Sequence, residues 1–336
     1  MLQCVQNKGY SKMMEEIKMN VPKLVLDSFY EMFRNDRKNI FYLMYYSMIE
    51  ALLLMVSPLT SAFIINSVLA HATVSIVVLG FIVIVVFLGI AVLQVIKQYM
   101  VEKFEQKIFV KNAIEVAQIA SSSLYQKDNT VIDKHMNYFF DVLSIQKLFP
   151  TLMLNGSGLI VKLIVSLLLL FLFDTYLFLL GIFFVFFFLF LVLFLGKGGI
   201  VSAIQRSDAK HESIYFLQNI PSVKMEKNSI FYNLDILLGK FVKTRQKMFS
   251  IIIKQLSLTF FMEGVILSSF FILGGHLVFE GMMPIGEFVA AEIIIISVTY
   301  ALRDFMKQVD YIYDMIEGFY KIDKLSKTLG HNDVSI

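Results

Sequence analysis

Four ionisable side chains stand inside long apolar runs of this chain: Glu50, Lys162, Glu263 and Glu292. On insertion scales a charge held at bilayer depth costs about 2.5–3.5 kcal/mol, so such groups face a cavity or a partner. Three kinds of chemistry are open to them. A Lys162–Glu263 or Lys162–Glu50 pair would neutralise the lysine and hold helices together. Along a central cavity the same groups would touch a cargo. As acids, Glu50, Glu263 and Glu292 would also serve a proton relay. Asn66, Gln94 and Asn155 add neutral groups suited to interhelical hydrogen bonds, each worth under about 1–2 kcal/mol.

Other site chemistries find no support. The histidines are His71, His135, His211, His276 and His331, with no H-E-x-x-H spacing, and Cys4 is the single cysteine. No metal site and no intrachain disulfide are expected. A phosphate-cradling loop needs G-x-x-x-x-G-K-[ST], and Gly196-Lys197 and Gly239-Lys240 lack both the upstream glycine and the following Ser or Thr. Gly156-Ser157-Gly158 reads as close helix packing rather than a nucleophile turn. The chain is therefore expected to be no enzyme and to hold no cofactor of its own. Its lysines lack the interleaved surface aromatics of a nucleic-acid surface.

The elements that must position these charges are membrane spans. The chain of 336 residues is 57% hydrophobic and only 17% charged, with a mean hydropathy of +0.70; a soluble domain averages about 25% charged. Six apolar segments are long enough to cross, or nearly cross, a hydrocarbon core of about 30 Å. They are Phe41–Leu69, Ile76–Ile96, Leu148–Phe173, Tyr176–Leu195, Leu256–Phe279 and Phe288–Leu302. The connections alternate. Residues 70–75, 174–175 and 280–287 are short; 97–147 and 196–255 are long. Lys and Arg number 7 in residues 1–40, 7 in the first long connection, 10 in the second and 5 from Arg303 onward, whereas the three short connections have none. The positive-inside rule puts both termini and both long connections in the cytoplasm. No secretory h-region stands near the start. The expected place is the plasma membrane, the inner membrane of a bacterial cell.

The long connections read as helices. Ile108, Val110, Ile114, Ala117 and Ile119 recur at helical spacing in the first, and Ile214, Leu217, Ile236, Leu237, Phe241 and Met248 in the second. Each becomes a helical hairpin continuing a membrane helix, turning near Lys127–Asn129 and near Asn219–Ser222, where Asp128, Asn129 and Pro221 favour a turn. Residues 22–39 mix Leu24, Phe29, Met32 and Phe33 with Lys23, Arg34, Arg37 and Lys38, which suits an amphipathic helix on the membrane surface; a solvated basic tail is the alternative. Residues 1–21 and 330–336 are expected to be disordered or tail sequence.

Three local stretches then carry a resemblance. Val56-Ser57-Pro58-Leu59 places a proline in the first span. Ile220-Pro221-Ser222-Val223-Lys224 lies at the second hairpin's tip. Pro284-Ile285-Gly286-Glu287-Phe288-Val289-Ala290 precedes the sixth span. In this order and spacing they resemble the transmembrane domain of exporter-type ABC transporters over about residues 22–329. The expected fold class is an all-α membrane protein: six transmembrane helices with long cytoplasmic helical extensions, in a domain over residues 40–329. Ser123-Leu124-Tyr125-Gln126-Lys127-Asp128-Asn129 keeps only part of the family's first-tip pattern.

The resemblance implies a permease subunit that works as a dimer with a second copy of itself. It also implies a separate ATPase subunit carrying ATP and magnesium, since the nucleotide-binding domain's motifs are missing here. The coupling tips would be Tyr125, Gln126, Lys127, Asp128 and Asn129, then Ile220, Pro221, Ser222, Val223 and Lys224. Two other readings stay open: a proton-coupled transporter on the same membrane fold, and a scaffold or regulatory subunit that transports nothing.

Overall fold

The computed structural model describes residues 37–71, 76–123, 152, 154–222 and 226–328. The expected tail 1–21, most of the surface helix 22–39, the tip Tyr125–Asn129, Val223, Lys224 and the tail 330–336 lie outside these residues. Among the described residues there are helices and turns and no strand. In chain order the helices are α1 (Arg37–Leu54), α2 (Val56–Leu69), α3 (Ile76–Ser123), α4 (Leu154–Phe173) and α5 (Thr175–Leu195). They continue with α6 (Gly199–Asn219), α7 (Lys227–Phe279), α8 (Ile285–Met306) and α9 (Val309–Thr328). Six helical stretches among the described residues are long and apolar enough to cross a membrane.

The first span differs from its expected form. Phe41–Leu69 is not one helix but two, broken at Met55. Pro58 is the cause. It has no N–H to give to the Leu54 carbonyl, and its ring crowds that turn. The backbone tightens in response, with the Met55 amide donating to the Leu52 carbonyl at 3.2 Å, three residues back instead of four.

α3 and α7 are the long elements, at 48 and 53 residues. At about 1.5 Å per residue they reach about 70–80 Å, more than twice a hydrocarbon core. α7 keeps one inward stripe over much of that length: Met248, Gln255, Thr259, Met262, Ile266, Phe270, Gly274 and Leu277 are buried. Their spacing of three, four or seven residues is that of one helix face. Against this stripe pack α5, α6 and α8. α5 shows how a low-complexity run still specifies packing. Leu177, Gly181, Phe184 and Phe188 are buried, whereas Phe183, Phe186, Phe190 and Phe194 stand exposed on the side left for lipid.

The turns are built by specific residues. Asp174 alone separates α4 from α5, and its carboxylate accepts from the amides of Tyr176 (2.7 Å) and Leu177 (3.2 Å), capping α5. At the other short-turn contact, α2 packs on α8. There the Gly286 amide donates to Asn66 Oδ1 at 2.9 Å. A β-carbon at Gly286 would sit 2.4 Å from both the Ala62 carbonyl oxygen and Asn66 Oδ1, so only glycine lets the helices meet this closely.

The second long connection is α6, a 3-10 turn over Ile220–Ser222, and the start of α7. α6 and α7 pack side by side, and α9 lies on α6. Where α5 gives way to α6, a buried amide ties three elements together. Gln255 of α7 donates to the Val192 carbonyl at 3.0 Å and accepts from the Tyr313 hydroxyl of α9 at 3.2 Å. Gly199 opens α6 directly against the Tyr313 ring, 2.4 Å from where a β-carbon would stand.

Candidate functional site

Of the four intramembrane charges, Glu50 and Lys162 are brought into one cavity. It measures about 370 Å³ and lies between α1, α3, α4 and α8. α1 supplies Ser47, Glu50, Ala51 and Leu54. α3 supplies Gln94, Lys97 and Gln98, and α4 supplies Asn155 and Lys162. α8 and the turn after it close the cavity with Asp304, Phe305 and Gln308. Residues one turn apart on each helix, such as Ser47 with Glu50 and Gln94 with Lys97, face the same way because a helix repeats every 3.6 residues. The cavity therefore sits where α4 begins and α8 ends, the end of the bundle from which α3 runs on.

The pairing differs from both expected lysine–glutamate pairs. Glu50 is bonded to Lys97, not to Lys162, and its other oxygen accepts from Gln94 Nε2 at 2.9 Å. Both charged side chains are nearly enclosed, at 12% and 10% exposure, so the pair must be satisfied internally. α1 and α3 pack side by side, and the lysine stem is long enough to bring its head back along the helix to the acid. Glu263 is likewise taken by another base. Arg303 of α8 meets it at 3.3 Å, with the guanidinium also over the Tyr300 ring at 4.4 Å. α7 and α8 are neighbours, which brings this base within reach of Glu263.

Lys162 is left with no carboxylate within ion-pair distance among the described residues. The acids whose charge reaches it are Glu50 and Asp304. Asp304 is itself held by Lys307 at 3.0 Å. Glu292 is elsewhere, in a small recess lined by Leu177, Phe271, Phe288 and Ile295. Of the hairpin tips, Ile220, Pro221 and Ser222 form the 3-10 turn between α6 and α7.

The amides marked in the sequence do bridge helices. Asn155 donates to Gln308 at 2.8 Å, joining α4 to the turn after α8 across the cavity. Gln94 bridges α3 to α1, and Asn66 bridges α2 to α8.

One charged cluster was not singled out by the sequence. Arg206 of α6 is buried, and its guanidinium bonds Asp314 and, at 2.7 Å, Glu317 of α9, with Asp310 at 3.8 Å. Burial works against its charge, but Glu317 and Asp314 more than offset this and hold the guanidinium above its ordinary range. Arg245 of α7 reaches Asp310 at 3.5 Å. The available signal was the spacing of Asp310, Asp314 and Glu317, four and then three residues apart, which puts three acids on one helix face. The cluster fastens α6, and through Arg245 also α7, to the helix that follows the last span.

No protein-family model matches the chain, and no curated protein matches it in sequence. Its fold does have solved counterparts. The chain is similar to a bacterial Atm1-family ABC exporter whose structure was solved with ATP bound, at a TM-score of 0.70 and 9% sequence identity. The match covers 88% of this chain and 53% of that one, so this chain spans about half the exporter's length. Six apolar helices, long helical extensions and this match together mark a membrane protein with the fold of an exporter-type ABC transporter's transmembrane domain.

Proposed function

We propose that the chain is the membrane-spanning subunit of an ABC-type exporter, in which two copies form one translocation path and a separate ATPase subunit, holding ATP and magnesium, drives them. It resides in the bacterial cytoplasmic membrane with both termini inside. The observation that carries this reading is the hairpin of α6 and α7, fastened by Arg206 to α9. A lever joined to the helix that continues the last span passes motion at its tip to the bundle as a rigid-body shift. Ile220, Pro221 and Ser222 at the turn, with Val223 and Lys224 beyond them, are the residues that meet the ATPase; Tyr125–Asn129 form the other contact. A second copy is supported by Phe231, Tyr232, Ile236 and Val242, apolar residues exposed on the part of α7 near the turn, beyond its apolar span.

The cavity weighs against a scaffold, which needs no internal space. A proton-driven transporter needs carboxylates free to exchange protons; Glu50 and Glu263 are each tied to a base, which leaves Glu292 as the one of the three without an ion pair among the described residues. The test is purification of the tagged full chain from its native membrane in mild detergent. An ATP-hydrolysing subunit is expected to co-elute, and replacing Pro221→Asp and Ser222→Asp together is expected to remove both that subunit and the ATPase activity. A monodisperse wild-type chain with no ATPase in the eluate, still transporting without ATP after reconstitution, overturns the proposal.

A further inference from the structure

We propose that the cavity between α1, α3, α4 and α8 binds the anionic head of an amphipathic ligand, a carboxylate or phosphate on an apolar body, through Lys162 and Ser47. The inference deepens the transport reading, since it takes this cavity as part of the path.

Two groups in the cavity, the half-buried Lys162 and the buried Ser47, lack a bonded partner among the described residues. Lys162 is a cation inside a membrane span with no ion-pair partner among the described residues. Its neighbours in the cavity are committed elsewhere: Glu50 to Lys97 and Gln94, and Asp304 to Lys307. Ser47 is 1% exposed, and its hydroxyl has no hydrogen-bond partner among the described residues. Both line the same cavity. Buried polar atoms are normally paired, and an unpaired hydroxyl and an unpaired cation lining one cavity make a donor set that an oxyanion can take.

The sign of the ligand follows from which charges are already matched. A cationic ligand would have to displace Lys97 from the enclosed Glu50, or share the exposed Asp304 with Lys307 at the cavity's rim, where water screens the gain. An anion displaces nothing. Its apolar part follows from the walls. Leu54, Leu159 and Phe305 line the cavity beside these polar groups. A volume of about 370 Å³ lies within the range of about 300–1,000 Å³ in which small ligands are held, mostly by apolar walls with a few placed polar groups.

The test uses the purified full chain in nonionic detergent, with dansyl-labelled undecanoic acid as the probe and its methyl ester as the uncharged control. The acid is expected to bind at least about tenfold tighter than the ester, as one charge-assisted contact gives. Lys162→Gln is expected to abolish that difference and Lys162→Arg to keep most of it. Ser47→Ala should weaken the acid about two- to tenfold, the scale of one lost hydrogen bond, without changing the ester. Dodecyl phosphate should displace the acid, and inorganic phosphate should not. Equal binding of acid and ester by the wild-type chain overturns the inference, as does a preference that survives Lys162→Gln. Displacement by inorganic phosphate at the same concentration overturns the amphipathic half. The assay needs neither ATPase nor transport. A chain that transports without favouring anions defeats this inference alone; one that binds them but moves nothing defeats the transport reading alone.

Discussion

Replacing Arg206 with leucine should destabilise the protein by about 3–5 kcal/mol, the cost of stripping the partner from a buried ion cluster. Glu317 is only 8% exposed and would be left without its counter-charge, while Asp314 and Asp310, each about one third exposed, would recover some hydration. The loss therefore falls mainly on Glu317. Adding Glu317→Gln to Arg206→Leu should restore part of the stability, because the stranded charge is gone. Arg206→Lys should fall in between, since an ammonium has no planar fork to serve two carboxylates together. Chemical unfolding in detergent, followed by tryptic access to the α6–α7 hairpin, reads both the free energy and its location. A loss under about 1 kcal/mol would place the cluster with ordinary surface pairs and remove the claim that it fastens the hairpin.

Lys97→Leu is expected to have an effect of similar size by a different route. It strips Glu50 of its bonded base, leaving Gln94 as its hydrogen-bond partner and Lys162 only at Coulombic range, within an apolar segment where a poorly paired charge is costly. A loss of about 3–5 kcal/mol follows if the pair is as enclosed as its geometry indicates. The reverse combination separates charge from packing. Glu50→Gln with Lys97→Gln keeps hydrogen-bonding groups at both positions, strands no ion, and should remain within about 1–2 kcal/mol of the native protein. Thermal unfolding of the three variants in one detergent checks the order. If the double variant is as unstable as Lys97→Leu, the helices are held there by shape and not by charge.

Much of the architecture was legible because bilayer thickness imposes a length on apolar runs, and a run such as Phe183–Leu195 has no other simple reading. The breaking of the first span at Met55 was legible only in part. Pro58 was visible as a motif, but a proline in a span often bends a helix without dividing it. Pairing was the harder matter. Lys97 and Arg303 sit at span ends and count toward orientation, yet both turn inward, to Glu50 and Glu263. Nothing in linear order shows which neighbour a flexible cationic stem will choose. The Arg206 cluster joins residues more than a hundred positions apart. Its acids show helical spacing, but their base is identified only by the docking of α9 on α6.

The central claim is that this bundle is a path opened alternately to either side by ATP. Its most direct measurement is the accessibility of a cavity residue. Ala301 lines the cavity, and the chain's one cysteine, Cys4, can be replaced, so Cys4→Ser with Ala301→Cys gives a single reactive site. In native membrane vesicles of known sidedness, a membrane-impermeant maleimide should label it from the hairpin side without nucleotide. With ATP and vanadate that labelling should fall about tenfold, and labelling from the opposite side should rise, as expected when most of the population shifts. Labelling from one side only, unchanged by ATP, would contradict the account.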